Sequence, residues 1–418
     1  MTGIMCVLML TLQPADAQQP QAPLTLDQAI AEALAAEPGL KAARAELDVA
    51  RGERRQASAR PNPELMFEQR EQAGGSDRQT ELAIDVPLDL FRRGPRIAVA
   101  DLTIGRTAAT VQDAERLLTA AVRERYGEVL VASRRLEVIE AVVTAAAKTH
   151  ELLAGRAAEG AAPPLDRDLA LVELRRMESA RALEAGRVAR ASSALKALLG
   201  RAPGAPLTLS DTLERLAPRG ASDGGAAAGE RADVRAAAAD LDVARAQTTL
   251  ARQDRKPELS VFGGYMRMDQ GFPQSGFAPD GRLTPVHGIF HTVTAGVKIG
   301  LPILNRGDGA IAAAEARETA AAQTLAGRRL AAAGELDAAE ARLAAARRAL
   351  AAYGDDTRTL ARRNLDVVRE SYGLGRLTLL DVLNEQRRYL EFETAHAAAL
   401  EEAIAATAEL LRAKGGRQ

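Results

Sequence analysis

Few residues of this chain are spaced for covalent chemistry. His287 and His291 lie four apart, a separation that can hold a metal ion on a helix. They fall in a Gly/Pro-rich stretch with no Cys or further His beside them, so it reads as an outer loop without a metal site. His150 and His396 are isolated. No phosphate loop, dinucleotide fingerprint, zinc motif or nucleophile–base pattern is present. The chain is therefore expected not to be an enzyme and to need no cofactor. What remains is electrostatic. Glu81 and Asp85 alternate with Leu82, Ile84 and Val86, and Thr292, Thr294 and Lys298 alternate with Val293, Ala295 and Val297. Side chains placed in this way can line a wet passage.

The elements that carry them come twice. Leu47-Asp48-Val49-Ala50-Arg51 returns as Leu241-Asp242-Val243-Ala244-Arg245, and Pro63-Glu64-Leu65 returns as Pro257-Glu258-Leu259. Gly160, Pro163 and Asp166 return as Gly375, Thr378 and Asp381 with the same internal spacing. A duplicated order of this kind is read as one structural unit and its copy. The first repeat covers residues 18–200 and the second 231–414. An irregular segment at 201–230 joins them, and 415–418 form a tail.

Each repeat reads helix, strand, strand, very long helix, tight turn, helix. In the first, a helix over about 27–60 ends at Pro61, with a local interruption at Pro38-Gly39. Alternation places strands at about 63–72 and 79–88, and in the second repeat at about 257–268 and 291–302. Nine or ten residues is the length with which a tilted strand crosses a bilayer. Gly-containing corners open long helices over about 95–158 and 308–372, where scattered glycines, Gly354 among them, predict bends or short breaks. Returning helices follow at about 165–199 and 378–414, with Asp166 read as a cap, and a last helix covers 232–256. The shorter helices could stack in pairs to the length of the long ones.

Composition agrees with long, thin helices. Aromatics are 3%, Trp is absent, and alanine runs through almost every segment. A formal net charge of -1 gives no reason to expect nucleic acid. Residues 1–17 read as an export signal, with an apolar run at 4–12 and Ala15-Asp16-Ala17 as a small-residue cleavage site. The usual basic start is missing, because no Lys or Arg precedes Lys41. Cys6, the single cysteine, lies within that signal, so the exported chain is expected to carry no disulfide and no lipid anchor. Four strands cannot close a barrel alone, and open edges are not tolerated in lipid. The chain is therefore expected to oligomerise. Two copies would give eight strands, which would have to pack Glu81, Asp85, Thr292, Thr294 and Lys298 inside a filled core; twelve strands from three copies leave a wet lumen, which suits them better. The competing reading is a soluble periplasmic coiled-coil scaffold, or adaptor-like structural protein, with surface hairpins and no channel.

With these motifs in hand, the sequence resembles the TolC, or outer membrane factor, family of bacterial efflux proteins over essentially the whole exported chain. The carriers are the duplicated helix-to-strand passages, the strand-to-helix corners, and the turn Tyr372-Gly373-Leu374-Gly375-Arg376-Leu377-Thr378-Leu379-Leu380-Asp381. The resemblance implies a mainly α fold with a small β part: a homotrimer whose twelve-stranded outer-membrane barrel, four strands per chain, continues into a periplasmic α-helical barrel. It implies outer-membrane lipid as surroundings. A periplasmic adaptor would dock at the hairpin tips (Gly160, Pro163 and Asp166; Gly373, Gly375 and Thr378), and an inner-membrane pump, of the resistance-nodulation-division type, would supply the energy. Tyr372 and Asp381 match a periplasmic gate; Asn384 stands where the family has a second aperture carboxylate, and Arg376 lies beside the position of an expected arginine. The Pro61-Asn62-Pro63-Glu64-Leu65 lead-in looks more like the heavy-metal (cobalt-zinc-cadmium or copper) branch than the drug branch.

Overall fold

Thr25 starts the first helix in the computed structural model. Its hydroxyl accepts from the Gln28 N–H while the Gln28 side chain accepts from the Thr25 N–H, a reciprocal capping box. The structure describes residues 23–73, 75, 77–216 and 231–415. The export signal at 1–17, part of the turn at 74–77, residues 217–230 of the joining segment and tail residues 416–418 lie outside the described residues.

The order is α1 (Leu26–Ala36), α2 (Pro38–Ser58), β1 (Glu64–Glu71), β2 (Arg78–Leu88), α3 (Arg93–Ala158), α4 (Pro164–Leu198) and the short α5 (Leu213–Leu216). Then come α6 (Ala232–Gln253), β3 (Glu258–Phe277), β4 (Leu283–Gly300), α7 (Asp308–Ala351), α8 (Asp355–Gly373) and α9 (Leu379–Lys414). α3 runs unbroken for 66 residues through Gly105, Gly127 and Gly155. The second long helix does not. It stops at Ala351 and restarts at Asp355, with Gly354 extended as the cap of α8. Asp355 and Asp356 in the first turn favour a new N-terminus there. Tyr353, freed from the helix, sets its ring 5.4 Å from that of Phe392 on α9.

The chain forms two compact units, each drawing on both repeats. Among the described residues, one contains 23–38, 117–216 and 338–412. Here Val131 of α3 packs with Leu213 of α5 and with Ala397, Leu400 and Ile404 of α9. Ile139, Val142 and Val143 of α3 meet Leu174 and Met177 of α4. The buried Tyr126 hydroxyl donates within 2.8 Å of the Leu24 carbonyl and 2.9 Å of Asp211 Oδ2, which also accepts from the Leu26 N–H at 2.8 Å. Burial, with Asp211 beside it, pushes the Tyr126 pKa well up, so the phenol keeps its proton. A parallel bridge between Leu24 and Leu209 completes this anchor, so residues 201–216 are less irregular than the sequence suggests.

The other unit contains, among the described residues, 39–116, 231–337 and 413–415. Val234, Ala237 and Leu241 of α6 pack on Leu325 and Ala332 of α7. All four strands belong to this unit and form one antiparallel sheet in the order β1-β2-β3-β4. β3 and β4 are longer than expected, at 20 and 18 residues. The Gly/Pro-rich residues read as a loop pair with each other instead. A register shift between Phe272 and Ser275 takes Pro273, which lacks an N–H, out of the ladder. Phe272 and Phe290 meet edge to face at 6.1 Å in this extension. His287 and His291 therefore lie in β4, not in a loop. Four residues of strand separate them by about 13 Å, too far to share one ion.

Candidate functional site

Because side chains alternate along a strand, the pairing register sorts the sheet into two faces. One carries Leu65, Phe67, Leu82, Ile84, Val86, Leu88, Leu259, Val261, Val293, Val297 and Ile299 in aligned rows. All of these but the half-buried Leu259 are exposed, Phe67 at 66% and Val293 at 79%. An apolar band so far from water-free packing calls for an apolar environment outside the chain. β1 and β4 are the edges of the sheet, each with one side unpaired among the described residues.

The other face is polar. Glu68, Glu81, Met266 and Thr292 form one row across the four strands, and Met66, Ala83, Gly264 and Thr294 form the next. Then come Glu64, Asp85, Phe262 and Gly296. Lys298 reaches diagonally past Phe262 to Asp85 Oδ2 at 3.5 Å. All five residues expected to line a lumen, Glu81, Asp85, Thr292, Thr294 and Lys298, thus share one face. Sequence reading passed over the methionines between them. The signal was available only through the register, because Met66 and Met266 are 200 residues apart in the chain.

The corner below the sheet uses its arginines internally. Arg93 and Arg96 donate to the Ser58 and Ala57 carbonyls at 3.0 and 2.9 Å, satisfying acceptors at the end of α2. Arg96 also pairs with Asp89 at 2.9 Å, and Arg92 with Asp254 at 2.9 Å and with Glu258. All three arginines are thus engaged by protein groups. At the second corner Gly307 has φ 70° and Asp308 is bound by Arg255.

The two helical tips are built alike. Gly160 and Gly375 have φ 70° and 73°, a left-handed conformation that glycine adopts without cost from a side chain. Each closes its helix by a double bond pattern: Ala161 N to Arg156 O at 2.7 Å with Gly160 N to Ala157 O at 3.2 Å, and Arg376 N to Ser371 O at 3.0 Å with Gly375 N to Tyr372 O at 2.9 Å. The starts of the returning helices differ. Thr378 gives both its N–H and its hydroxyl to Asp381 Oδ2, at 2.9 and 2.7 Å. These bonds hold the Asp381 pKa below its ordinary value, burial opposing them slightly. In the first tip Pro163 occupies the matching place and has neither N–H nor hydroxyl to give. Asp166 therefore does not cap α4, which has no side-chain cap at all.

Tyr372 packs against Leu153, Ala170 and Leu379. Burial raises its pKa, Asp166 raises it further, and Arg156 opposes. The structure thus places Tyr372 in the field of Asp166 and Arg156, while Asp381 is engaged by Thr378. Arg376 and Asn384 are exposed, as are Gly373, Leu374, Leu377 and Leu380 at the tip.

Two segments, residues 29–201 and 225–416, match the family model for outer membrane efflux protein. The chain belongs to the outer membrane efflux protein family. Among relatives of this family member, the cobalt-zinc-cadmium resistance protein CzcC of Cupriavidus metallidurans is 29% identical over 259 residues. That alignment spans 62% of this chain and 62% of CzcC. Among solved structures, CusC matches with a TM-score of 0.76 at 19% identity, covering 98% of this chain and 96% of CusC. The open-state outer membrane channel MtrE of Neisseria gonorrhoeae matches with a TM-score of 0.73 at 19% identity, covering 94% and 89%. The fold of this efflux protein is therefore that of outer-membrane channels with a helical barrel and four strands per chain.

Proposed function

We propose that the protein is the outer-membrane exit duct of a tripartite efflux system: a passive, gated channel from periplasm to exterior. One observation carries this reading. A four-stranded sheet with an exposed apolar face, a polar opposite face and two unpaired edges is one sector of a membrane barrel. A homotrimer closes it with twelve strands and encloses Glu81, Asp85, Thr292, Thr294 and Lys298. The family match supports the outer membrane as its place. The chain works without catalysis, since the lining needs only to solvate what passes.

The tips serve as the docking ground for a periplasmic adaptor. Gly160, Pro163, Asp166, Gly373, Gly375 and Thr378 shape turns that leave Leu165, Leu374 and Leu380 more than 60% exposed. Tyr372, Arg376, Asp381 and Asn384 stand at the periplasmic aperture. The energy comes from an inner-membrane pump, of the resistance-nodulation-division class. The likeness to a cobalt-zinc-cadmium resistance protein supports heavy-metal cations as cargo.

The test is direct. Membranes should release the protein only to detergent, the purified protein should have the mass of a trimer, and planar bilayers should acquire ion conductance. Full-length monomer in the soluble periplasmic fraction would instead establish the scaffold reading.

A further inference from the structure

Where the apolar face of the sheet meets the helices there is a cavity of about 260 Å³, built within the unit that holds the strands. Its apolar wall is Pro61, Leu88, Leu90, Phe91, Pro257 and Leu259. Leu88 and Leu259 are cross-strand partners in the last row of the apolar face before the helices, so the cavity continues that face. Leu90, just beyond the row, is 62% exposed. Arg92 and Arg96 line the polar end. Pro61 and Arg96 are shared with a neighbouring cavity of about 420 Å³, which Arg60 also lines.

The charges at this level are unequal. The carboxylates in the passages between strands and helices are each bound by arginine: Asp89 by Arg96, Asp254 and Glu258 by Arg92, and Asp308 by Arg255. Cations are left over. Arg93 donates to a carbonyl, so its charge has no carboxylate partner. Arg60 makes no ion pair among the described residues, although Glu53 lines the same second cavity. Lys256 makes none either; its ammonium lies 4.9 Å from the centroid of the Phe91 ring, a cation–π contact. Phe91 lines the first cavity, so that contact holds the ammonium beside it.

We propose that this corner binds an anionic phospholipid of the phosphatidylglycerol type, from the leaflet next to the helices. The phosphodiester headgroup sits at the first cavity, where Lys256 and Arg60 supply the positive charge, and the acyl chains follow Leu88 and Leu259 onto the apolar face. Basic side chains at a bilayer surface attract anionic lipids, and their apolar stems can lie along nonpolar surface while the charged ends reach the phosphate. A zwitterionic headgroup brings an ammonium as well. Both carboxylates of the first cavity, Asp89 and Glu258, are already taken by arginine, so that ammonium finds no partner there. The inference rests on the duct reading, because only a sheet set in a bilayer brings a lipid to this corner.

The experiment uses the full-length protein in detergent, with dioleoyl phosphatidylglycerol and dioleoyl phosphatidylethanolamine as probes and native mass spectrometry to count the lipids retained. The wild type should keep phosphatidylglycerol at concentrations where phosphatidylethanolamine is lost. A cation at the surface is worth about fivefold in affinity for an anionic lipid, so the double variant Arg60→Gln, Lys256→Gln should bind about 25-fold more weakly and lose the preference. Neither side chain leaves a carboxylate stranded, so its thermal midpoint should match the wild type. Arg267→Gln is the control. Arg267 is a cation without an ion pair among the described residues, on the same face of β3 and eight residues above Leu259, about 26 Å away. Its loss should leave phosphatidylglycerol binding unchanged. Equal retention of the two lipids by the wild type overturns the site. An unaltered double variant, or an equal loss in Arg267→Gln, does the same, and displacement by glycerol phosphate would reduce the site to one for free anions. Selective lipid binding by a monomer without conductance would sink the duct reading and leave the site standing; a conducting trimer indifferent to headgroup would sink the site alone.

Discussion

Asp381 holds Thr378 by two bonds, from the backbone N–H at 2.9 Å and from the hydroxyl at 2.7 Å, while its duplicate Asp166 faces a proline. One substitution between the repeats thus makes one helical tip capped and the other bare. The stabilisation depends on the carboxylate being ionised. The folded-state pKa of Asp381 is depressed, so this contribution is present above the unfolded-state value and is lost as pH falls through the folded one. The protection of amides at the second tip, taken relative to their intrinsic exchange rate at each pH, should therefore fall in acid, and Asp381→Asn should show that lower protection already at neutral pH. A pH-independent protection factor in the wild type would exclude the cap.

Tyr372 contributes a ring more than a hydroxyl, since its contacts are with Leu153, Ala170 and Leu379. Tyr372→Phe should leave conductance unchanged. Tyr372→Ala should raise it and cost about 2 kcal/mol, below the full-burial penalty because the ring is half-buried. If the aperture assignment is sound, Asp381→Ala also raises conductance; no change in either alanine variant would remove it.

Arg231, 2% exposed, binds Asp233 at 2.8 Å and Glu335 at 3.0 Å. Burial pushes the Asp233 pKa up, but the bonds and charge of Arg231 outweigh it and the net shift is downward. Arg231→Met should destabilise by about 2–3 kcal/mol, reduced from the cost of a fully buried orphan charge because Glu335 keeps 40% exposure. The wild type should lose this advantage as pH falls through the depressed value, so the two thermal midpoints should converge in acid. A constant gap would contradict the linkage.

Gly127 on α3 lets α9 approach closely. An added Cβ would lie 2.5 Å from Ile404 Cγ2, on a branch that is stiff at χ1. Helix propensity would favour alanine by about 1 kcal/mol, but overpacking costs about 1–3 kcal/mol, so Gly127→Ala should be destabilising on balance. Ile404→Leu removes the clashing branch and should rescue it. At Gly186 nothing lies within 4 Å, and alanine there should stabilise the protein. Thermal unfolding in detergent separates the three.

Lys298 and Asp85 pair on the polar face, beside Glu64, Glu68 and Glu81. Lys298→Met should increase the preference for cations and Asp85→Asn decrease it, read as reversal potentials across a salt gradient. The shifts should be clear near 0.1 M salt and fade toward 1 M, where screening shortens to about 3 Å. Equal reversal potentials for both variants and the wild type would place these residues away from the ion path.

The chain order alone determined a good deal. Alternation at Leu82, Ile84, Val86 and at Val293, Val297, Ile299 marked the strands and their faces, since period-two patterning is local. The glycines at 160 and 375 marked the tips, because a left-handed residue is a local demand. Other features were not local. The extension of β3 and β4 through Pro273, Pro285 and Gly288 came from cross-strand pairing that overrides weak turn signals, and it moved His287 and His291 onto a strand. The break at Gly354 was foreseeable as one of several glycine positions, but Tyr353 meeting Phe392 singled it out. The row joining Glu68, Glu81 and Met266, and the burial of Arg231 against Glu335, exist only after distant segments are set in register. Sequence records which residues alternate; only the folded sheet decides which of them become neighbours.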